Sequence, residues 1–218
     1  ALLIPLAFLI IEPKRRKRLV KSNIILDIGK ISKYVLTHKK IMSLTLYNSL
    51  VCSIMLMVVT SYFLYYDKIG FNAAHNGLVY GLFMFVSALG AVSTHKLENK
   101  IGKRKSFFLL LFPSFIFILL GIFNSIFLIP LIFVNGFIWG FSRPMFSSYT
   151  NELISSDIRA TVLSVTNMVK VLPLVILAPL LGKIIDLTSL SFSFYLLGGF
   201  YLLVASLSLF LLNKYEMI

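Results

Sequence analysis

Hydrophobic residues in this chain form long runs that are separated by short polar breaks. Six of the runs have the length of membrane-spanning helices, because about 20 apolar residues at roughly 1.5 Å per residue cross a hydrocarbon core. The six segments are 41–66, 75–97, 107–123, 126–148, 160–184 and 192–212. The pattern therefore predicts an all-α membrane protein with a six-transmembrane-helix bundle over residues 41–212.

The first segment of the chain, residues 1–11, is apolar but covers only about half of a hydrocarbon core. A secretory signal peptide places its basic residues before the apolar run, whereas here Lys14 to Arg18 follow it. We therefore expect residues 1–11 to be the tail of a truncated transmembrane helix, with further sequence upstream in the parent protein. Residues 12–40 are predicted to form a basic cytoplasmic connector, and residues 213–218 a cytoplasmic C-terminal tail.

The basic connector contains apolar residues at helical spacing, namely Ile24, Ile28, Ile31 and Val35. Such spacing among lysines is typical of an amphipathic helix that lies at the membrane interface. The alternative is a solvated linker with incidental apolar residues. Either interpretation suits a cytoplasmic segment between two membrane bundles.

Composition supports a membrane location, since 58% of the residues are hydrophobic, 13% are charged and the mean hydropathy is +0.92.

The formal net charge is +13. Basic residues in short loops favour the cytoplasmic side, and they recur here in alternate loops. The loops on that side contain residues 14–40, 96–105, Arg159 and Lys214, whereas Lys68 and Lys183 lie on the other side. The charge therefore indicates a multi-pass protein of the cytoplasmic membrane with a cytoplasmic C-terminus, and not a nucleic-acid-binding protein.

Residues that carry soluble-type catalysis are scattered. Cys52 is the one cysteine, and His38, His75 and His95 have no spacing that suits a metal site. The sequence contains no nucleophile motif and no phosphate-binding loop with a lysine. We therefore predict no enzymatic activity, no metal and no cofactor.

Lys170 lies near the middle of the predicted span 160–184. Burying its ammonium group costs several kcal/mol unless the group faces a polar cavity or a partner. Asn167 lies one helical turn earlier on a similar face. We interpret the two residues as cavity-facing contacts for an anionic or polar solute, or as part of a coupling network. The alternative is a lysine that reaches a polar edge or an interhelical carbonyl.

The same span contains Pro173 and Pro179, which free backbone carbonyls and permit a bend. Transporters often have such breaks at moving gates. In another span, Gly136 and Gly140 are four residues apart, a spacing that favours close packing of helices.

Three further polar residues inside predicted spans are candidates for contact with a solute or coupling ion: Tyr47, Asn48 and Asn135. Hydrogen bonding between helices is the alternative role for each of them.

The turn between the second and third segments is strongly charged and reads Asn99-Lys100-Ile101-Gly102-Lys103-Arg104. A basic connector, six spans and this turn together resemble the C-terminal half of major facilitator superfamily transporters. That family has, in a cytoplasmic loop between adjacent helices, an acidic residue or Asn, a basic residue, any residue, Gly and two basic residues, in that order. The resemblance implies a cytoplasmic gating loop made of Asn99, Lys100, Gly102, Lys103 and Arg104, and an ordinary positive-inside turn is the alternative.

The junction between the fourth and fifth spans, residues 140–164, resembles that of bacterial, multidrug-efflux-like members of the superfamily. It contains three candidates for a conformational charge switch: Arg143, Glu152 and Arg159. Arg143 is expected near the cytoplasmic end of its span, where it could snorkel or pair with Glu152. Charges that only anchor the helix ends at the interface are the alternative.

The resemblance implies the C-terminal six-helix half of a secondary active transporter, which moves a small solute across the cytoplasmic membrane by alternating access. Proton-coupled drug efflux is the finer hypothesis, and a non-transporting polytopic membrane interaction protein is the alternative. Expected partners are membrane lipids, a missing N-terminal six-helix half, a small-molecule solute and protons.

Overall fold

The computed structural model describes residues 24–214, and every regular element within that range is helical. We number the α-helices as α1 (Ile24–Thr37), α2 (Lys39–Lys68), α3 (Asn76–Ile101), α4 (Lys103–Leu109), α5 (Phe112–Ile122), α6 (Ile129–Glu152), α7 (Arg159–Leu187) and α8 (Leu190–Lys214). Short 3₁₀ turns at Ala73–His75 and Ile126–Leu128 precede α3 and α6. The all-α class is confirmed, whereas the predicted helix tail at residues 1–11 lies outside the described residues.

Six stretches of the described chain are long and apolar enough to cross a membrane. They are Lys39–Lys68, Ala73–Ile101, Lys103–Ile122, Ile126–Glu152, Arg159–Leu187 and Leu190–Lys214. Consecutive spans run in alternate directions, so that Lys39, Lys103, Arg159 and Lys214 lie at one end of the bundle, which we call the basic end. The helices extend beyond most of the predicted segments because polar and charged residues continue each helix past its apolar run.

The third span differs from the single segment predicted at 107–123, because it consists of the two helices α4 and α5 with a break at Leu110 and Leu111. Pro113 occupies the first turn of α5. Proline has no N–H, and its ring clashes with the carbonyl four residues earlier, here that of Leu109, so Pro113 favours a break in the helix before it. At the start of α5 the Leu111 carbonyl accepts a hydrogen bond from the Ser114 hydroxyl at 2.6 Å.

Helix α2 is the most buried span, since 67% of the residues in its most apolar stretch are buried inside the bundle. It packs against α7, α8 and α6. One of its tyrosines, Tyr65, places its hydroxyl 3.0 Å from the carbonyl oxygens of Phe123 and Ser125. This contact joins α2 to the turn between α5 and α6.

The most extensive contact in the described bundle is between α3 and α6. A Cβ added at Gly140 would overlap the Ser87 carbonyl group, and one added at Gly136 would crowd the Phe83 ring. Across the same interface the Thr94 hydroxyl lies 3.2 Å from the Phe141 carbonyl oxygen. The predicted close packing at Gly136 and Gly140 is therefore confirmed.

The connector contains the helix α1, which packs against α7. Val35 is fully buried in a small cluster with Ile154 and Val162, and Ile31 packs on the edge of that cluster. A helix is therefore present over Ile24–Thr37, and it is attached to the bundle through Val35, whereas its position at a membrane interface stays a prediction.

Replacing Gly140 by alanine is expected to destabilise the bundle by about 1–3 kcal/mol, the usual cost of overpacking, because the new methyl group meets backbone atoms of α3. Thermal unfolding of the purified protein in detergent measures this effect. Gly182→Ala is the matched control, since nothing lies within 4 Å of its Cβ position and alanine favours the helix by about 1 kcal/mol. Equal midpoints for the two variants would contradict tight α3–α6 packing.

Candidate functional site

A cavity of about 400 Å³ lies between α2, α6 and α7. Its polar and aromatic lining consists of Asn48, Cys52, Ser53, Trp139, Arg143, Asn167 and Lys170. Leu56, Val171 and Leu174 complete the wall. The structure thus brings together three of the predicted solute contacts, Asn48, Asn167 and Lys170, and adds Arg143 from the predicted charge-switch set.

The cavity lies at mid-depth in the bundle. Lys170 is about 16 Å along α7 from Arg159, and Cys52 is about 20 Å along α2 from Lys39. Arg143 is about 14 Å from the end of α6 at Glu152. Since a hydrocarbon core is roughly 30 Å thick, these side chains lie where an ionised group needs a polar surrounding.

Lys170 and Asn167 are paired on α7, as their spacing indicated. The Lys170 ammonium donates a hydrogen bond to Asn167 Oδ1 at 3.2 Å. The two side chains are one turn apart and therefore meet on one face. The amide satisfies part of the hydrogen-bonding capacity of the ammonium but leaves its charge uncompensated.

Pro173 explains how α7 is attached to α2 beside this pair. Because proline has no N–H, the Val169 carbonyl four residues earlier lacks its helical donor. The Ser49 hydroxyl of α2 donates to that carbonyl at 3.0 Å, and the Ser53 hydroxyl donates to the Lys170 carbonyl at 3.2 Å. Both serines are buried. The carbonyl group that Pro173 leaves without a helical donor is thus satisfied by α2, and the two hydrogen bonds hold the backbone of Lys170 beside α2.

Asn48 and Cys52 face the cavity from α2 and are also one turn apart. The Cys52 thiol donates to Asn48 Oδ1 at 3.1 Å. The amide nitrogen of Asn48 remains as a donor on the cavity side of the molecule. The sequence interpretation singled out Asn48 but missed Cys52, although their spacing of four residues placed both on one helix face.

Arg143 lies deeper than predicted, because α6 continues to Glu152 instead of ending near residue 148. Its guanidinium stands over the Trp139 ring, 5.5 Å from the centroid. Glu152 is about 14 Å farther along α6 and about half a turn around the helix, so it points away from Arg143. The expected Arg143–Glu152 pairing is therefore wrong, and Glu152 and Arg159 are exposed at the ends of α6 and α7.

Tyr47 and Asn135, two of the predicted solute contacts, are buried elsewhere. The Tyr47 ring packs against Phe107 and Phe146, at centroid distances of 6.1 and 5.4 Å. Asn135 donates a hydrogen bond through Nδ2 to the Tyr62 hydroxyl at 2.6 Å. Neither residue lines the cavity, and Asn135 has the interhelical role that was its alternative.

The predicted gating loop is a sharp turn at the basic end. Gly102 ends α3 and begins α4 with φ 85° and ψ 158°, a conformation that is essentially restricted to glycine. The side chains of Asn99, Lys100, Lys103 and Arg104 are exposed. The Lys103 ammonium lies 4.1 Å from the centroid of the Tyr149 ring, which attaches the turn to the end of α6.

Within the described residues, no group of three or more His, Cys, Asp or Glu side chains could hold a metal ion. The cavity instead offers two cationic groups, amide and thiol groups, and an aromatic ring. Such a lining suits the binding of a polar or charged solute.

Six membrane-length helices, three of which line a polar cavity at mid-depth, indicate a polytopic membrane protein of the transporter class. The family model of the Major Facilitator Superfamily matches residues 1–178 and, in a second alignment, residues 55–216. The chain therefore belongs to the major facilitator superfamily and is a membrane transporter of that type. No curated protein and no solved structure matches the chain.

Replacing Ser49 or Ser53 by alanine is expected to loosen α7 from α2. Ser49→Ala leaves the Val169 carbonyl without a donor, and Ser53→Ala removes the interhelical hydrogen bond to the Lys170 carbonyl. Interhelical hydrogen bonds of this kind contribute about 0.6 kcal/mol on average and up to about 1.7 kcal/mol in membranes. Thermal unfolding in detergent measures the loss for each variant. Ser164→Ala is the control, since that hydroxyl bonds only within α7, to Ala160. A loss as large in the control would contradict this role for the two serines.

Proposed function

We propose that this bundle is the C-terminal half of a secondary carrier, which moves a small solute across the cytoplasmic membrane by alternating access. The cavity between α2, α6 and α7 lies on the path of the solute in this proposal. The observation that carries it is the convergence of Lys170 and Arg143 from different helices on one cavity at mid-depth. Ionisable groups at that depth are costly and mark solute or ion paths.

The exposure of α7 supports a second six-helix half as the partner of this bundle. In the most apolar stretch of α7 only 6% of the residues are buried, whereas in that of α2 67% are buried. The same helix carries Asn167 and Lys170, and a half-exposed ammonium at mid-depth is unfavourable against lipid tails. If a second protein bundle faces α7 across a water-filled path, water and polar side chains can solvate the Lys170 ammonium. Lipid alone suffices only for helix faces that are wholly apolar.

The orientation that we propose places the basic end in the cytoplasm, with the C-terminus on the same side. Lys39, Lys103, Arg159 and Lys214 then lie inside, and Lys183 lies outside. The exposed turn at Gly102 faces the cytoplasm in this orientation, where it can act as a gate between α3 and α4.

We propose an ion or solute gradient as the energy source, and a proton gradient is the first to test. The five acidic residues with described side chains lie at or near span ends and outside the cavity lining: Asp67, Glu98, Glu152, Asp157 and Asp186. A carboxylate that carries the coupling proton would then belong to the second half. The finer proposal is export of drug-like compounds, and the direction of solute flux across the membrane tests it.

Lys170→Ala is expected to reduce gradient-driven flux at least tenfold, which corresponds to the loss of about 1.4 kcal/mol of interaction in the path. The measurement is solute uptake and release by proteoliposomes that contain the parent-length protein, with and without an imposed proton gradient, over a panel of anionic, neutral and cationic compounds. Lys183→Ala is the matched control, because Lys183 is exposed on the same helix and outside the cavity.

Full flux in both Lys170→Ala and Lys183→Ala would show that Lys170 does not contact the transported solute. The absence of flux over the whole panel, with orientation and folding verified, would contradict the carrier proposal and favour a non-transporting membrane interaction protein.

A further inference from the structure

We infer that the solute of this carrier is a small organic anion, which binds between Lys170 and Arg143. The inference rests on the proposed function and adds to it the chemical class of the solute. It starts from the charges that line the cavity. Both ionised side chains in the lining are cationic, and no carboxylate lines it.

Neither cation has a charged partner among the described residues that line the cavity. The Lys170 ammonium bonds to the neutral amide oxygen of Asn167 at 3.2 Å. The Arg143 guanidinium stands over the neutral Trp139 ring at 5.5 Å. The amide accepts a hydrogen bond from the ammonium, and the ring attracts the guanidinium, but neither is charged. The part of the cavity lining that this bundle supplies therefore has a positive net charge.

Two like charges that line one cavity repel each other, and both are costly at mid-depth in a membrane. A bound anion relieves both costs, because it attracts each cation across a short distance in a surrounding of low dielectric constant. A bound cation adds a third like charge to the same space. Charge complementarity therefore favours an anionic over a cationic solute.

The remaining wall indicates an organic rather than an inorganic anion. Leu56, Val171 and Leu174 form an apolar part of the wall. A volume of about 400 Å³ falls within the range of small-molecule sites and exceeds the need of a single halide ion. The Asn48 amide can donate to a carboxylate or sulfonate oxygen, while the apolar wall contacts the body of the solute.

Cys52 provides a direct measurement of this charge preference, because it is the one cysteine in the chain and it lines the cavity. The test compares the rates at which two methanethiosulfonate reagents label Cys52. One reagent carries an anionic sulfonatoethyl group, and the other carries a cationic trimethylammonioethyl group. The parent-length protein in proteoliposomes is used, and labelling is read on the peptide that contains Cys52. Each rate is divided by the rate of the same reagent with a free small thiol.

The anionic reagent is expected to react at least about tenfold faster than the cationic one, since a cavity lined by one sign of charge raises the local concentration of the opposite ion by about 10–10³. Lys170→Gln should reduce this ratio severalfold, and Lys170→Arg should retain it. Lys183→Gln is the matched control and should leave the ratio unchanged. Equal or faster reaction of the cationic reagent would overturn the inference, and so would the absence of labelling by either reagent.

A matched ligand series then tests the class of solute. Benzoate, benzamide and benzamidinium have nearly the same shape and carry negative, zero and positive charge. Benzoate is expected to slow labelling of Cys52 by a neutral thiol reagent and to compete for flux, with loss of both effects in Lys170→Gln. Equal protection by chloride or inorganic phosphate at the same concentration would overturn the assignment to an organic anion.

The two proposals fail in different ways. Lys170-dependent flux of benzamidinium without flux of benzoate would overturn the anion inference and leave the carrier function supported. Preferential labelling by the anionic reagent without any flux would contradict the carrier function and support the anion preference of the cavity.

Discussion

A backbone carbonyl that loses its helical donor inside a membrane must find another, because no water is available to replace it. Pro173 creates that requirement at the Val169 carbonyl of α7, and Ser49 of α2 meets it, while Ser53 adds a hydrogen bond to the neighbouring Lys170 carbonyl. The two hydrogen bonds attach the least buried span to the most buried one and bring Lys170 next to Asn48 and Cys52. The position of the cavity therefore depends on the satisfaction of backbone groups as much as on side-chain packing.

The other wall of the cavity depends on close approach of helices. Gly140 allows α6 to lie directly against the backbone of α3, and Phe83 of α3 packs on Trp139 with a centroid distance of 5.7 Å. Trp139 in turn lies beneath the Arg143 guanidinium. Steric contact between two backbones thus positions an aromatic ring, and the ring positions a cation at mid-depth. Because the two cationic side chains come from separately anchored helices, a relative movement of α6 and α7 changes the distance between them.

These anchors give a physical account of how solute binding and bundle movement could be coupled. In the binding mode that we propose, an anion between Lys170 and Arg143 would favour arrangements in which α6 and α7 approach each other, and repulsion in the empty cavity would favour their separation. The exposed turn at Gly102 and its contact from Lys103 to Tyr149 connect the basic end of α6 to α4. We therefore expect movement of α6 to reach this turn, for which the family resemblance implies a gating role.

Apolar runs of membrane length and basic residues in alternate loops are local properties of the chain, so the sequence alone determined the six-helix class and the candidates Lys170, Asn167 and Asn48. Spacing of four residues also placed Gly136 and Gly140 on one contact face. Only the tertiary structure separated Tyr47 and Asn135 from the cavity, moved Arg143 away from Glu152 and added Cys52 and Trp139. Periodicity tells which residues share a helix face, but not which helix that face meets, because the rotation and depth of each helix are decided by packing against its neighbours.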